Sequence, residues 1–347
     1  MTMRVCKTTL TLRCANEHKI IASCSFDNEL YLLFDSEPHE VYRVQSQITT
    51  DGPQTVSKTC DYSELHDGPL AHTELFCKME CNCKSQFHSI FCFNGDIFIL
   101  KLLPGKILVV NGFITYSLRA DSVDGNGKIY ILNDDVFIQA TPKTILTTSL
   151  TSITEAVYKK TDLHYKEFKF CHEVVALQFL KSTNCFKQND IDRVLGRKVN
   201  ERMEMAVYGK GYPVVFKDVS NEEMSTFTSA IPDSRNIEDL CYNPFSDKYV
   251  LLSDNFGRLI LFDTENRFIV KTLASMRDAQ MCWINKTLFL VFSDFRKVME
   301  IHNCFDKERI AFLKFKQSDD VMVFQSGEES VALLVNKKLN FLNFNFN

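Results

Sequence analysis

Residues 251–263 read LLSDNFGRLILFD. Two short apolar blocks flank a polar SDNFG. Runs of this length, rich in Leu, Ile and Phe, read as strands when Asp, Asn and Gly separate them. Those three residues tolerate the left-handed backbone that a tight hairpin turn needs. The figure returns at residues 290–303 (LVFSDFRKVMEIHN) and at residues 333–344 (LLVNKKLNFLNF). A strand pair repeated at a near-constant interval marks a repeating β-array, in which each unit buries its faces against its neighbours.

Outward from this stretch, comparable turns fall at Asp27, Asn94, Asn133, Gly209, Asp254, Asp294 and Asn336. Most intervals lie near the about 40–45 residues of a four-stranded propeller blade, and the two longer ones fit a blade plus an insertion. Seven turns imply seven blades, with six or eight as the alternatives because one interval is nearly two blades long. The expected fold class is therefore all-β: a seven-bladed β-propeller filling residues 1–347 as one domain, with insertions at 46–74, 150–171 and 181–203.

In this scheme the Asp27 turn is the middle turn of blade one. Residues 75–81 and 116–120 open blades two and three, and residues 174–180 open blade four. The last blade, from residue 321, has only three strands of its own. An open strand edge invites unwanted pairing. Residues 4–12 alternate suitably, so the N-terminal strand is expected to close the ring; a three-stranded final blade is the alternative.

Composition suits such a core. Of 347 residues 45% are apolar and 29 are Phe, while Gly (12) and Pro (8) are scarce. The formal net charge of −4 lacks the global basic excess that holds a phosphate backbone. The N-terminal residues alternate and offer no apolar core of a signal peptide. No apolar run approaches the about 18–20 residues that span a bilayer. With 13 cysteines, this points to a reducing compartment, nucleus or cytoplasm.

In two blades the strand that follows the turn ends in an aromatic-Asp pair, Phe34-Asp35 and Phe262-Asp263. On these pairs, the blade spacing and the strand order, the chain resembles the WD40-repeat family of β-propellers in degenerate form, although other propeller families share the rhythm. No Gly-His dipeptide occurs, and the one Trp, Trp283, falls in an inner strand. The resemblance therefore implies the propeller without that family's His–Asp network. It also implies a rigid platform inside a multiprotein complex.

Candidate chemistry is sparse. Cys77, Cys81, Cys83, His88 and Cys92 form C-x3-C-x-C-x4-H-x3-C. Thiolates and imidazole are the usual zinc ligands, but three of these cysteines share parity along one strand, on a line rather than around a point. They read as packed side chains, and no metal or cofactor is expected. Asp27, Asp96, Asp134, Asp135, Asp254 and Asp294 recur at turns. On a propeller these turns are expected to share one face, where they could gather around the channel as in a metal-dependent hydrolase, yet turn chemistry accounts for them. No catalytic residues are assigned.

The expected function is a non-catalytic protein-interaction scaffold, a subunit whose partners are other protein subunits. Its expected partner-binding residues are Asp61, Glu64 and Asp67 in the first insertion, and Arg193, Arg197 and Lys198 in the basic third insertion. That third insertion gives the alternative, a subunit holding nucleic acid for an enzyme. Insertions 46–74 and 150–171 are expected on the face of the Asp-bearing turns, with 181–203 on the opposite face.

Overall fold

The computed structural model describes residues 3–11, 18–26, 29–36, 39–45, 54–56, 60–65, 72–79, 88–132, 134–170, 173–181, 203–209, 215–218, 236–266 and 268–346. Strand β1 (Met3–Thr11) is set aside for the end of the chain. Sheet A then takes β2 (Ile20–Phe26), β3 (Glu29–Phe34) and β4 (His39–Gln45). Two short strands, β5 (Gln54–Val56) and β6 (Cys60–Asp61), leave for other sheets before β7 (His72–Met79) completes sheet A. Sheet B is β8 (His88–Phe93), β9 (Asp96–Leu103), β10 (Lys106–Asn111) and β11 (Ile114–Arg119). Sheet C is β12 (Ile129–Leu132), β13 (Asp135–Thr141), β14 (Thr144–Ser149) and β15 (Lys166–Lys169), with helix α1 (Leu150–Lys159) between its last two strands.

Sheet D holds β16 (Val174–Lys181), β17 (Met203–Gly209) and β18 (Val215–Asp218). Sheet E is β19 (Ile237–Tyr242), β20 (Tyr249–Asp254), β21 (Leu259–Asp263) and β22 (Phe268–Leu273). Sheet F is β23 (Ala279–Trp283), β24 (Leu288–Ser293), β25 (Val298–Asn303) and β26 (Arg309–Lys314), with β6 on its edge. Sheet G is β27 (Val321–Gly327), β28 (Ser330–Val335) and β29 (Lys338–Phe346), then β1 and β5.

Six sheets are complete blades of four or five strands; sheet D has three strands among the described residues. The expected count of seven full blades is thus corrected to six. The first strand of each sheet is the inner one: β2 touches β8 and β27, β8 touches β12, β16 touches β19, and β23 touches β19 and β27. Sheet D meets sheet C through β13 and β14. The middle strands are buried on both faces, as a blade between two neighbours requires; β21 and β24 are buried at every position.

The ring closes as the alternation of the N-terminus implied. β1 runs antiparallel to β29 from Met3↔Phe346 to Thr11↔Lys338 and becomes the fourth strand of blade G. The inner strand of blade A is β2, so the N-terminal segment is not needed twice.

Strand order corrects the phase of the first three expected blades. Residues 75–81 belong to β7, the outer strand of blade A, paired with β4. Residues 116–120 fall in β11, the outer strand of blade B, and its last neighbour. The turns at residues 27, 94 and 133 therefore join first to second strands, whereas those at 209, 254, 294 and 336 join second to third. The two sets emerge on opposite faces of the disc.

We call the face of the second-to-third turns and the loops between blades the upper face. Insertions 46–74 and 150–171 each join a third strand to a fourth, and 181–203 joins a first to a second. All three leave strands that end at the lower face. The expected division of the insertions between two faces is overturned by this topology.

Deleting residues 1–11 should leave β29 as an open edge. The expected outcome is a lower melting temperature and concentration-dependent self-association in sedimentation velocity. A monomer melting with the full chain would contradict the closure.

Candidate interaction surface

The first insertion is a strap rather than a free loop. β5 adds to β1 antiparallel, with Val5↔Gln54 and Met3↔Val56. β6 adds to β26 in parallel, with Leu313↔Cys60 and Lys314↔Asp61. A 3-10 turn at Tyr62–Glu64 follows. Here Tyr62 stacks on Phe315 with ring centroids 4.5 Å apart at 22°. The Lys7 ammonium lies 4.9 Å from the Tyr62 ring centroid, a cation–π contact from the closing strand. Cys60, Tyr62 and Leu65 join the apolar core of blades F and G. The strap thus leaves blade A, edges G and F, and returns to A.

Asp61 and Glu64 lie exposed on this turn while Cys60, Tyr62 and Leu65 are buried. The acids of the first insertion are therefore held in place by the alternation of apolar and polar residues. Asp67 lies outside the described residues, as do Arg193, Arg197 and Lys198. The turn walls an upper-face cleft of about 370 Å³ shared with Lys314, Lys316, Asp319 and Asn336. Asn336 donates to Asp319 at 2.7 Å.

From the cleft a continuous arc runs over the upper face of blades F and E. Phe315 N–H donates to the Lys297 carbonyl at 2.9 Å. Lys297 lies in the β24–β25 turn and pairs with Asp294 at 2.6 Å. The same turn carries Phe295, 86% exposed. Its neighbour Arg296 reaches the Met276 sulfur at 3.9 Å. Met276 N–H donates to the Gly257 carbonyl at 2.7 Å, in the β20–β21 turn that carries Phe256, 63% exposed.

Two large apolar side chains thus stand in the corresponding turns of adjacent blades, with the exposed Arg277 in the loop between them. The Phe256 turn is rigid. Asp254 accepts from the N–H groups of Phe256 at 3.0 Å and Arg258 at 2.9 Å, and from the Arg258 guanidinium at 2.5 Å. Gly257 has φ +73°, and a Cβ there would meet Arg277 Cβ at 2.9 Å, so glycine is required.

A buried charge network underlies the arc. Glu300 on β25 accepts from Arg296 and Arg309 at 3.3 Å each and pairs with His302 at 3.1 Å. His302 Nδ1 lies 3.2 Å from the Lys271 ammonium, which reaches across from β22 and also donates to the Asp306 carbonyl at 2.8 Å. Burial raises the Glu300 carboxyl, but His302 and the two guanidiniums outweigh it and hold the pKa below its ordinary value. Burial, with Lys271 and Arg309 adding, lowers the His302 pKa below its usual 6.5 despite Glu300. Neutral His302 can then donate from Nε2 to Glu300 and accept at Nδ1 from Lys271. These groups bridge blades E and F.

The acids at the turns are divided. Asp96, Asp134 and Asp135 sit at lower-face turns, Asp254 and Asp294 at upper-face turns, and Asp27 lies outside the described residues. The acid ring of a metal-dependent hydrolase is not assembled on one face. Of the cysteine-histidine run, Cys77 and His88 are placed only by their strands β7 and β8, and Cys81 and Cys83 lie outside the described residues. Cys92 is a free, half-buried thiol in the core of blades A and B, beside Cys24, whose pKa burial pushes up. Phe256 and Phe295 went unread in the sequence. Their signal was the phenylalanine inside each SDNFG or SDFRK turn, where a turn needs no apolar residue.

Residues 213–321 match the family described as Rab3 GTPase-activating protein regulatory subunit N-terminus. The match covers less than half of the chain. It spans blades E and F, including the Phe256–Phe295 arc and the Glu300 network. It is a likeness to that family rather than to the WD40 repeats. No curated protein sequence matches the chain.

Two outcomes follow. Tyr62→Ala should remove the stack on Phe315 and leave a cavity, lowering unfolding free energy by about 3 kcal/mol in urea titration. The depressed His302 pKa means the unfolded chain takes up its proton first on acidification. Stability from this group is thus complete above about pH 6.5 and falls below it. His302→Gln should flatten the melting-temperature profile on the acid side of about pH 6.5; an unchanged profile would show that this imidazole does not contribute.

Proposed function

We propose that the chain is a non-catalytic, regulatory propeller subunit that docks protein partners on the upper-face arc of blades E and F. The observation carrying this reading is the coincidence of the regulatory-subunit match, residues 213–321, with the two exposed phenylalanines. Exposed aromatics next to arginine are the side chains that dominate protein interfaces. Rigid turns lower the ordering cost of binding through them. In its finer form the reading makes the chain a regulatory subunit of a GTPase-activating complex, with the chemistry on another subunit.

The reading extends to location and strap. The described cysteines 24, 60, 92, 241, 282 and 304 are free thiols, which supports the nucleus or cytoplasm. No described helix is long and apolar enough to cross a membrane. The exposed acids Asp61 and Glu64 flank the same arc and would add polar contacts at its rim.

The test is affinity isolation of the full chain against a Phe256→Ser, Phe295→Ser variant. Both side chains are mostly exposed, so the variant should melt with the parent. It should lose a partner that the parent retains in stoichiometric amount. Retention of every such partner by the variant would remove the reading.

A further inference from the structure

The Tyr62 side chain lies in a slot whose walls belong to the propeller rather than to the strap. Phe315, the floor of the slot, packs edge-to-face on the fully buried Phe292, with ring centroids 5.4 Å apart at 82°. Its N–H donates to the Lys297 carbonyl at 2.9 Å. Lys7 stands on β1, which nine register pairs fix to β29. Both groups that hold the tyrosine, the Phe315 face and the Lys7 ammonium, are therefore in place without it.

The strap's own hold is slight by comparison. β6 matches only Leu313 and Lys314 of β26, and β5 matches three residues of β1. Continued by one residue, the parallel register sets Tyr62 beside Phe315, as the stack requires. Residues 309–312 of β26 meet β25 on one side and no described strand on the other. So short an edge strand opens at a lower free energy than the middle strands of a blade. Lifting it would leave β1 on β29 and the propeller closed. Lys314, Lys316, Asp61 and Asp319 line the cleft together, so charge does not select what sits there; the aromatic slot and the strand edge do.

We infer that the strap is an internal ligand, an autoinhibitory cover that a partner displaces with an extended segment of its own, paired in parallel along β26 and seating one Tyr or Phe ring on Phe315. The strap itself shows what the site accepts. Strand addition supplies main-chain hydrogen bonds, and a pocket for one side chain supplies specificity. A tethered strap competes at high effective concentration. A partner strand offsets that by pairing along residues 309–312, which β6 leaves uncovered. Displacement uncovers Phe315, one hydrogen bond from the turn that carries Phe295, and lengthens the exposed arc to the boundary of blades F and G.

The test titrates a fluorescein-labelled peptide of residues 57–66 with the full chain and follows anisotropy. The peptide should bind a Tyr62→Ala chain about tenfold or more tightly than the parent, whose slot its own strap fills. A peptide carrying Tyr62→Ala, or a chain carrying Phe315→Ala besides Tyr62→Ala, should lose that binding. Adding Phe256→Ser and Phe295→Ser to the Tyr62→Ala chain should leave it unchanged. Hydrogen exchange on the parent needs no variant: residues 60–65 should exchange well before residues 288–293 of β24. Equal binding by the parent and Tyr62→Ala chains, indifference to Phe315→Ala, or exchange of residues 60–65 only together with β24 would overturn the proposal. Loss of binding on adding Phe256→Ser and Phe295→Ser would also overturn it, since the peptide would then sit on the arc. The regulatory reading rests on that arc and its own variant, so failure here leaves it standing.

Discussion

The pairing of β1 with β29 is the constraint on which the rest of this structure depends. Nine register pairs join the two ends of the chain. Until they form, blade G has an open edge and the ring has a gap between G and A. The closing entropy of so long a loop grows only slowly with length, so the pairing can be supported by ordinary strand energetics. It is reinforced from outside: β5 covers part of β1, and Lys7 on β1 lies over Tyr62 of the strap. Because the strap is itself an excursion from blade A, closure ties together A, G and F.

Within the ring, neighbouring blades are held by polar side chains that satisfy backbone groups of the next inner strand. Gln280 donates to the Val321 carbonyl at 3.0 Å and accepts from the Val323 N–H at 2.7 Å. Trp283, fully buried, donates its indole N–H to the Cys241 carbonyl at 3.1 Å. Gln139 does the same for Val174 at 2.6 Å. Such bonds add little net energy each but are costly to leave unmade when buried, and so they fix blade against blade. The Glu300 network repeats this logic farther out with charges, where removing one partner would strand the others. The stiffness of blades E and F thus comes from directional contacts as well as from apolar area.

Much of this fold was legible because strands buried on both faces leave dense apolar blocks, as at residues 251–263 and 290–303. The alternation of residues 4–12 likewise revealed the closing strand. What could not be read was phase. The turn after Phe26 and the turn after Asp254 look alike in sequence, since both need Asp or Asn and short flanking strands. One joins the inner strand to its neighbour and the other joins the middle pair. Apolar blocks report burial but not distance from the axis, so Asp96 and Asp294 could be assigned to one face although topology puts them on opposite faces. The same ambiguity hid the strap: Cys60, Tyr62 and Leu65 are too few to resemble an element, and their role appears only when Phe315 and β26 are beside them. The exposed arc was hidden for a different reason. Phe256 and Phe295 are two of 29 phenylalanines, and in a chain so rich in core aromatics an exposed one carries no distinguishing mark.

Resolving the phase changes what the disc can do. With Asp-bearing turns all on one face and a basic insertion on the other, opposite charge alone would have organised binding. The structure instead gives the upper face an exposed aromatic pair, Phe256 and Phe295, carried on adjacent blades. On the upper face, Arg258, Arg296 and Lys297 are already matched by Asp254, Glu300 and Asp294, so binding there would rest on shape and aromatic burial. A ring stiffened between blades keeps the turns of Phe256 and Phe295 in a fixed relation. That is the physical property a docking surface needs if both side chains are to meet one partner without an ordering cost.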